Sequence, residues 1–126
     1  MTDRLAYQYV VLRCVPRVER EEFVNVGVVL YCQMADFLQA GWHVSAERLR
    51  ALADIPVDAV CDALRFVDAV CRGDASVGAV ATEDLGARFG FIKSPRSTVV
   101  QPGPVHGGTS TDCAAELDRL LDALVR

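Results

Sequence analysis

Residues 20–32, REEFVNVGVVLYC, run from a charged loop straight into a β-branched, apolar stretch broken by Asn25 and Gly27. Alternation divides 23–33 into Val24, Val26, Val28, Leu30 and Cys32 on one face and Phe23, Asn25, Gly27, Val29 and Tyr31 on the other. A strand apolar on both faces is expected to be central, covered from both sides. The asparagine and glycine then mark either a site or a place of close backbone packing, such as a bulge.

Outward from this strand the pattern stays β. Residues 6–15, AYQYVVLRCV, are aromatic and β-branched and end at Pro16, and the intervening 16–22, PRVEREE, carries five charges in seven residues. After a turn at Met34-Ala35-Asp36, residues 37–44 alternate, with Leu38, Ala40, Trp42 and Val44 on the apolar side. Three strands with short connections predict an antiparallel meander.

The period then changes. Ser45 is placed to cap a helix over 46–54. After Pro56, residues 57–72 show an apolar stripe of Val57, Val60, Cys61, Leu64, Val67 and Cys71, stopped by Gly73. Thr82-Glu83-Asp84 opens another short helix. The Gly-, Pro-, Ser- and Thr-rich stretch 89–112 reads as loop except for an edge strand at 97–101, stopped by Pro102. Residues 112–126 form a last amphipathic helix with Cys113, Leu117, Leu120, Leu121 and Leu124 on one face. The expected fold is α+β: one domain over 1–126, a small antiparallel sheet (the meander plus an edge strand) packed with about four helices.

Composition narrows the function. At 126 residues the chain fits one core. The net charge is −4, and the thirteen basic residues, twelve arginines and Lys93, are scattered among acids. A nucleic-acid partner is not expected, since phosphate neutralisation demands a basic face. Arginine in place of lysine, with abundant Ala and Val, fits a GC-rich bacterial genome. No run approaches the ~20 apolar residues of a membrane helix. The first fifteen residues lack a signal-peptide pattern. The five cysteines have no metal-ligand spacing, so reduced thiols in a cytoplasmic protein are expected. A mean hydropathy of +0.22 is high for a small domain. It fits either a buried subunit or partner interface or a well-filled monomer.

Chemistry concentrates around the first hairpin. If the mixed strand faces coincide, Tyr7, Tyr9, Arg13, Asn25, Tyr31 and His43 share one surface, with Arg17, Glu19, Arg20 and Glu22 at its edge. That surface offers aromatic walls, a guanidinium from Arg13 or Arg20, an amide, and Gly27 for close approach. The plainer alternative is that Asn25 bonds a loop backbone, Gly27 marks a bulge and Arg20–Glu22 is a solvated ion pair. His43 and His106, the two histidines, lie in no metal-ligand spacing, and no thiol carries an adjacent base. Cys14 and Cys32 are candidates to face each other on neighbouring strands, with two separate reduced core thiols as the plainer reading. The 106–112 loop lacks a P-loop lysine, so Ser110, Thr111 or Asp112 reads as a helix cap. No catalytic residue, metal or cofactor is expected.

The segment YQYVVLRCVPRVEREEFVNVGVVLYC resembles the bacterial domain-of-unknown-function family numbered 3037, whose R-x-E-F-V-N-V-G-V-V-L motif is matched by Arg20, Glu22, Phe23, Asn25, Gly27 and Leu30. Ser94-Pro95-Arg96 resembles a second, weaker family feature. The resemblance spans essentially the whole domain and brings no established activity. Its members' association with a HipA-like kinase implies a protein partner or regulator. Two functional expectations follow. The leading one is a non-catalytic interaction or regulatory module that binds a protein partner or itself. The alternative is a domain that binds or acts on a small anionic ligand through Arg13, Arg20, Glu22, Asn25 and Arg96.

Overall fold

The computed structural model describes residues 3–96 and 98–126. The meander forms as its pattern requires: β1 (Leu5–Cys14), β2 (Val24–Cys32) and β3 (Phe37–Trp42), each antiparallel to the next. Then follow α1 (Ala46–Leu52), α2 (Val57–Arg72), two short 3-10 turns and α3 (Leu85–Ile92). The chain returns to the free edge of β1 as β4 (Val100–Pro102) and β5 (His106–Ser110) and closes with α4 (Cys113–Leu124). Strand order is β3-β2-β1-β4, with β5 also on β1, and every pairing is antiparallel. The fold is α+β. Among the described residues no helix is long and apolar enough to cross a membrane.

The caps explain where the helices start and stop. The Ser45 hydroxyl accepts from the Arg48 amide, the Asp84 carboxylate from Ala87 and the Asp112 carboxylate from Ala115. Gly73, at φ 74°, ends α2 in the left-handed region where glycine carries no Cβ penalty.

The sheet is covered on both faces by different helices. One face packs Val10, Leu12, Cys14, Val26 and Val29 against Leu49, Val60, Leu64, Val70, Phe89 and Ile92 from α1, α2 and α3. The other packs Tyr7, Val28, Leu30 and Cys32 against Cys113, Leu117, Leu120 and Leu121 of α4. Strand β2 is therefore central, buried from both sides.

Three expectations are corrected. The 89–112 stretch is not mostly loop: its first four residues complete α3, and His106–Ser110 is a strand. The edge strand is shorter than expected, starting at Val100 and ending at Pro102, and Gly103-Pro104-Val105 bulge past Val10 and Val11 before pairing resumes at Tyr9↔His106. Proline is tolerated there because the outer edge of an edge strand asks no donor of it. The expected strand start, Ser97, lies outside the described residues. Finally, Cys14 and Cys32 do not meet, because they belong to opposite faces of the sheet.

Candidate functional site

A bulge in β2 decides what the hairpin presents. The β1–β2 register runs Leu12↔Gly27 and then Arg13↔Asn25, leaving Val26 as an extra residue. Beyond it alternation is inverted. Gly27, Val29 and Tyr31 face the α1–α3 layer, whereas Asn25 turns toward α4. The expected common surface therefore splits. Tyr7, Tyr9, Arg13 and Asn25 share the α4 face, Tyr31 packs on Phe89 at 5.2 Å on the opposite face, and His43 lies exposed beyond β3.

Asn25 and Gly27 each have a specific structural task. Asn25 Nδ2 donates to the Leu124 carbonyl at 3.0 Å, and Arg48 donates to the Val125 carbonyl at 2.5 Å. The last carbonyls of a helix have no partner within it, and these two side chains tie the end of α4 to β2 and α1. Gly27 sits where β2 and β3 crowd together: a Cβ there lies 2.9 Å from the Gly41 carbonyl oxygen and 3.2 Å from Trp42 Cβ.

Arg20 and Glu22 belong to the 15–23 loop, where Val18–Arg20 makes one 3-10 turn and Glu21 takes φ 54°. The Arg20 guanidinium bonds the Glu22 carboxylate, and Arg17 bonds Glu19 at 2.6 Å. With Pro16, Leu52 and Ala53, the residues Arg17, Arg20 and Glu22 line an open cleft of about 290 Å³. Both arginines carry an acid and the negative end of α1 points nearby, so the cleft holds little net attraction for an anion.

Arg13 is elsewhere. Its guanidinium lies 4.1 Å from the Phe23 ring centroid, a cation–π stack. On another side it meets the Gly103 backbone, where a Cβ stands 3.0 Å from the guanidinium carbon. Together with Val15, Glu21, Phe23, Gln101 and Pro102 it lines an open depression of about 380 Å³. Arg96 forms a third locality. It stacks on Phe91 at 4.1 Å, donates to the Phe91 carbonyl, and lines a small groove with Ala63, Phe66, Val67 and Val100. The six sequence-derived site residues thus occupy separate places, with Arg13 and Asn25 as register partners and Arg20 and Glu22 as an ion pair.

A polar cluster not singled out by sequence lies under α4. The Tyr7 hydroxyl donates to Glu116, which Arg119 holds at 2.5 Å. Burial and the Glu116 carboxylate push the Tyr7 hydroxyl up to about 12, while Arg119, with Tyr7, holds Glu116 below the usual carboxylate range. Gly108 leaves room for this ring, since a Cβ there meets the Tyr7 oxygen at 2.6 Å. Only an acid three residues before an arginine on the last helix hints at the cluster in sequence.

Nucleophilic chemistry finds little support. Burial pushes the Cys71 thiol up to about 12 and raises Cys14, and burial with neighbouring Cys32 puts Cys113 at about 11. Thiols so shifted are poor sources of thiolate. His106 stacks on Tyr9 at 5.3 Å. Among the described residues no group of three or more His, Cys, Asp or Glu is placed to hold a metal ion.

The fold and this hairpin define a small α+β domain in which Asn25 and Gly27 serve packing and Arg13 lines an open depression. Residues 9–125 match the model of a family described as "Protein of unknown function (DUF3037)", and the chain belongs to that family. No curated protein and no solved structure matches it.

Proposed function

We propose that this protein is a non-catalytic cytoplasmic interaction or regulatory module that docks a protein partner on the α4 face of its sheet, beyond the end of α4. The observation that carries this reading is the uneven cover of that face. Helix α4 spans the Tyr7, Leu30 and Cys32 end, while Phe23 beside Arg13 stays 44% exposed. Val18 (73%) in the 15–23 loop and Val105 (42%) in the 103–105 bulge are the other exposed large apolar side chains of the flanking segments. Phe23 with Val15 and Pro102 lines the depression beside Arg13, and apolar side chains around a charged anchor fit an interface. The high mean hydropathy supports the same reading.

The second reading, a small anionic ligand at the first hairpin, is favoured by Arg13 alone. The neutralised Arg17/Arg20 cleft and the dispersed Arg96 speak against it.

The test is a tagged pull-down from native cells with three proteins: wild type, Phe23→Asp, and Met34→Asp at the remote β2–β3 turn, where Met34 is 78% exposed. A HipA-like kinase, implied by the family resemblance, is the first partner to look for. A stoichiometric partner held by wild type and Met34→Asp and lost by a folded Phe23→Asp supports the proposal. Wild type that retains no stoichiometric partner, or a partner indifferent to Phe23, overturns it.

A further inference from the structure

The arginines identify the chemistry such a partner must bring. Of the twelve, six bond carboxylates: Arg17, Arg20, Arg65, Arg72, Arg119 and Arg126. Four more donate to backbone carbonyls: Arg4, Arg48, Arg88 and Arg96. Arg50 is exposed to solvent at the end of α1. Among the described residues that leaves Arg13 as the half-buried arginine with no acceptor, and its Nε is buried without a hydrogen-bond partner. Leaving a buried N–H donor without an acceptor is costly, and a ring face offsets only part of that cost.

The guanidinium is also held in place. Phe23 and Gly103 restrain it at the wall of the depression, and the surroundings are apolar at Val15, Phe23 and Pro102. A planar fork whose rotamer is already fixed loses little entropy on engaging a carboxylate, and an arginine set among apolar contacts is the usual make-up of a binding hot spot. Glu21, which also lines the depression, makes no bond to Arg13 and repels a polyanion more strongly than a single carboxylate. It therefore favours a single, well-directed carboxylate over a polyanion.

We infer that the depression receives a segment of a protein partner in which one aspartate or glutamate, flanked by apolar side chains, pairs with Arg13 while its neighbours pack on Phe23 and Pro102. This deepens the interaction-module reading and rests on it.

The test uses the full chain and displayed random peptides as the probe. Peptides are selected against wild type, and the enriched sequences are synthesised and titrated against wild type and Arg13→Met. Methionine keeps an unbranched apolar chain beside Phe23 and removes the charge. Arg13→Lys, which keeps charge and loses the planar fork, stands in if the methionine variant fails to fold. Enrichment of an acidic residue beside aliphatic or aromatic ones is expected, with binding about ten- to a hundred-fold weaker in Arg13→Met, the scale of one charged hydrogen-bonded contact. Converting the peptide acid to its amide should weaken wild-type binding equally and leave Arg13→Met unaffected.

Peptides without acids, peptides blind to Arg13→Met, or no enrichment at all overturn the inference. So does an Arg13-dependent dimer in sedimentation, which assigns the surface to a second copy. Arg13-dependent stabilisation by inorganic phosphate alone likewise assigns it to a small anion. A native partner captured equally well by wild type and Arg13→Met defeats this inference and leaves the module reading standing. Failure to capture any partner defeats the module reading itself.

Discussion

Gly27→Ala probes whether the glycine in the hairpin motif serves packing. A Cβ at this position lies 2.9 Å from the Gly41 carbonyl oxygen, 3.2 Å from Trp42 Cβ and 3.3 Å from Leu12 Cδ1. The closest atom is backbone, held in the β2–β3 ladder by the Gly27↔Trp42 and Val28↔Gly41 pairing, so no rotamer change relieves the contact. The strands must separate slightly or the side chains above them must shift. Overpacking a filled core in this way costs about 1–3 kcal/mol. For a domain of this size that lowers the melting temperature by roughly 4–12 °C. Gly90→Ala is the matched control. Gly90 lies in α3 with nothing within 4 Å of an added Cβ, so relief of the glycine penalty should stabilise by up to about 1 kcal/mol. Thermal unfolding followed by circular dichroism reads both. The packing argument is refuted if Gly27→Ala melts with wild type. Should that variant also lose a captured partner, the glycine serves close approach of the partner instead.

Two further outcomes are expected. Tyr7 holds its proton to about 12 in the folded protein against 10 when unfolded. The unfolded chain thus releases this proton first, and the associated stability, complete below pH ~10, is lost as pH rises toward ~12. Absorbance titration should show a late-ionising tyrosine phase that is absent from Tyr7→Phe, and a titration curve without that phase would contradict the Glu116 contact. The cysteines offer a separate check: Cys14, Cys32, Cys71 and Cys113 are buried and Cys61 is half-buried. A thiol reagent should modify one cysteine in the native protein and all five after denaturation, and rapid native modification of several would contradict the described packing.

Much of this architecture is visible in local pattern. Alternation and β-branched content mark β1, β2 and β3 because a strand buried on one or both faces must be apolar at period two. The stripes at 57–72 and 112–126, with Ser45, Asp84 and Asp112 at helix starts, mark the helices because capping and burial are decided within a few residues. The edge strand β5 was hidden for the opposite reason. HGGTS has little intrinsic β preference, and it pairs only because β1 supplies a ladder and Tyr7 needs the space above Gly108.

The hairpin shows the division most clearly. Sequence marks Asn25 and Gly27 as exceptional but leaves their faces open, since one extra residue at Val26 exchanges the two sides of a strand. Only the assembled sheet sends Asn25 to the end of α4, a hundred residues away in round terms along the chain, and Gly27 against β3. The same holds for the charges. Arg20 and Glu22 are neighbours and pair locally, which makes the solvated loop pair one of the two readings the sequence offers. Arg13 makes no ion pair although Glu21 lines the same depression, and whether two charges pair is a property of three-dimensional placement. Strands β1–β3 and the four helices, with their order and the helices' apolar stripes, are legible in the sequence because they follow from short-range periodicity and capping. Which polar residues meet and which one stays unpaired was decided by register, bulge and layer packing, which act between segments distant in the chain.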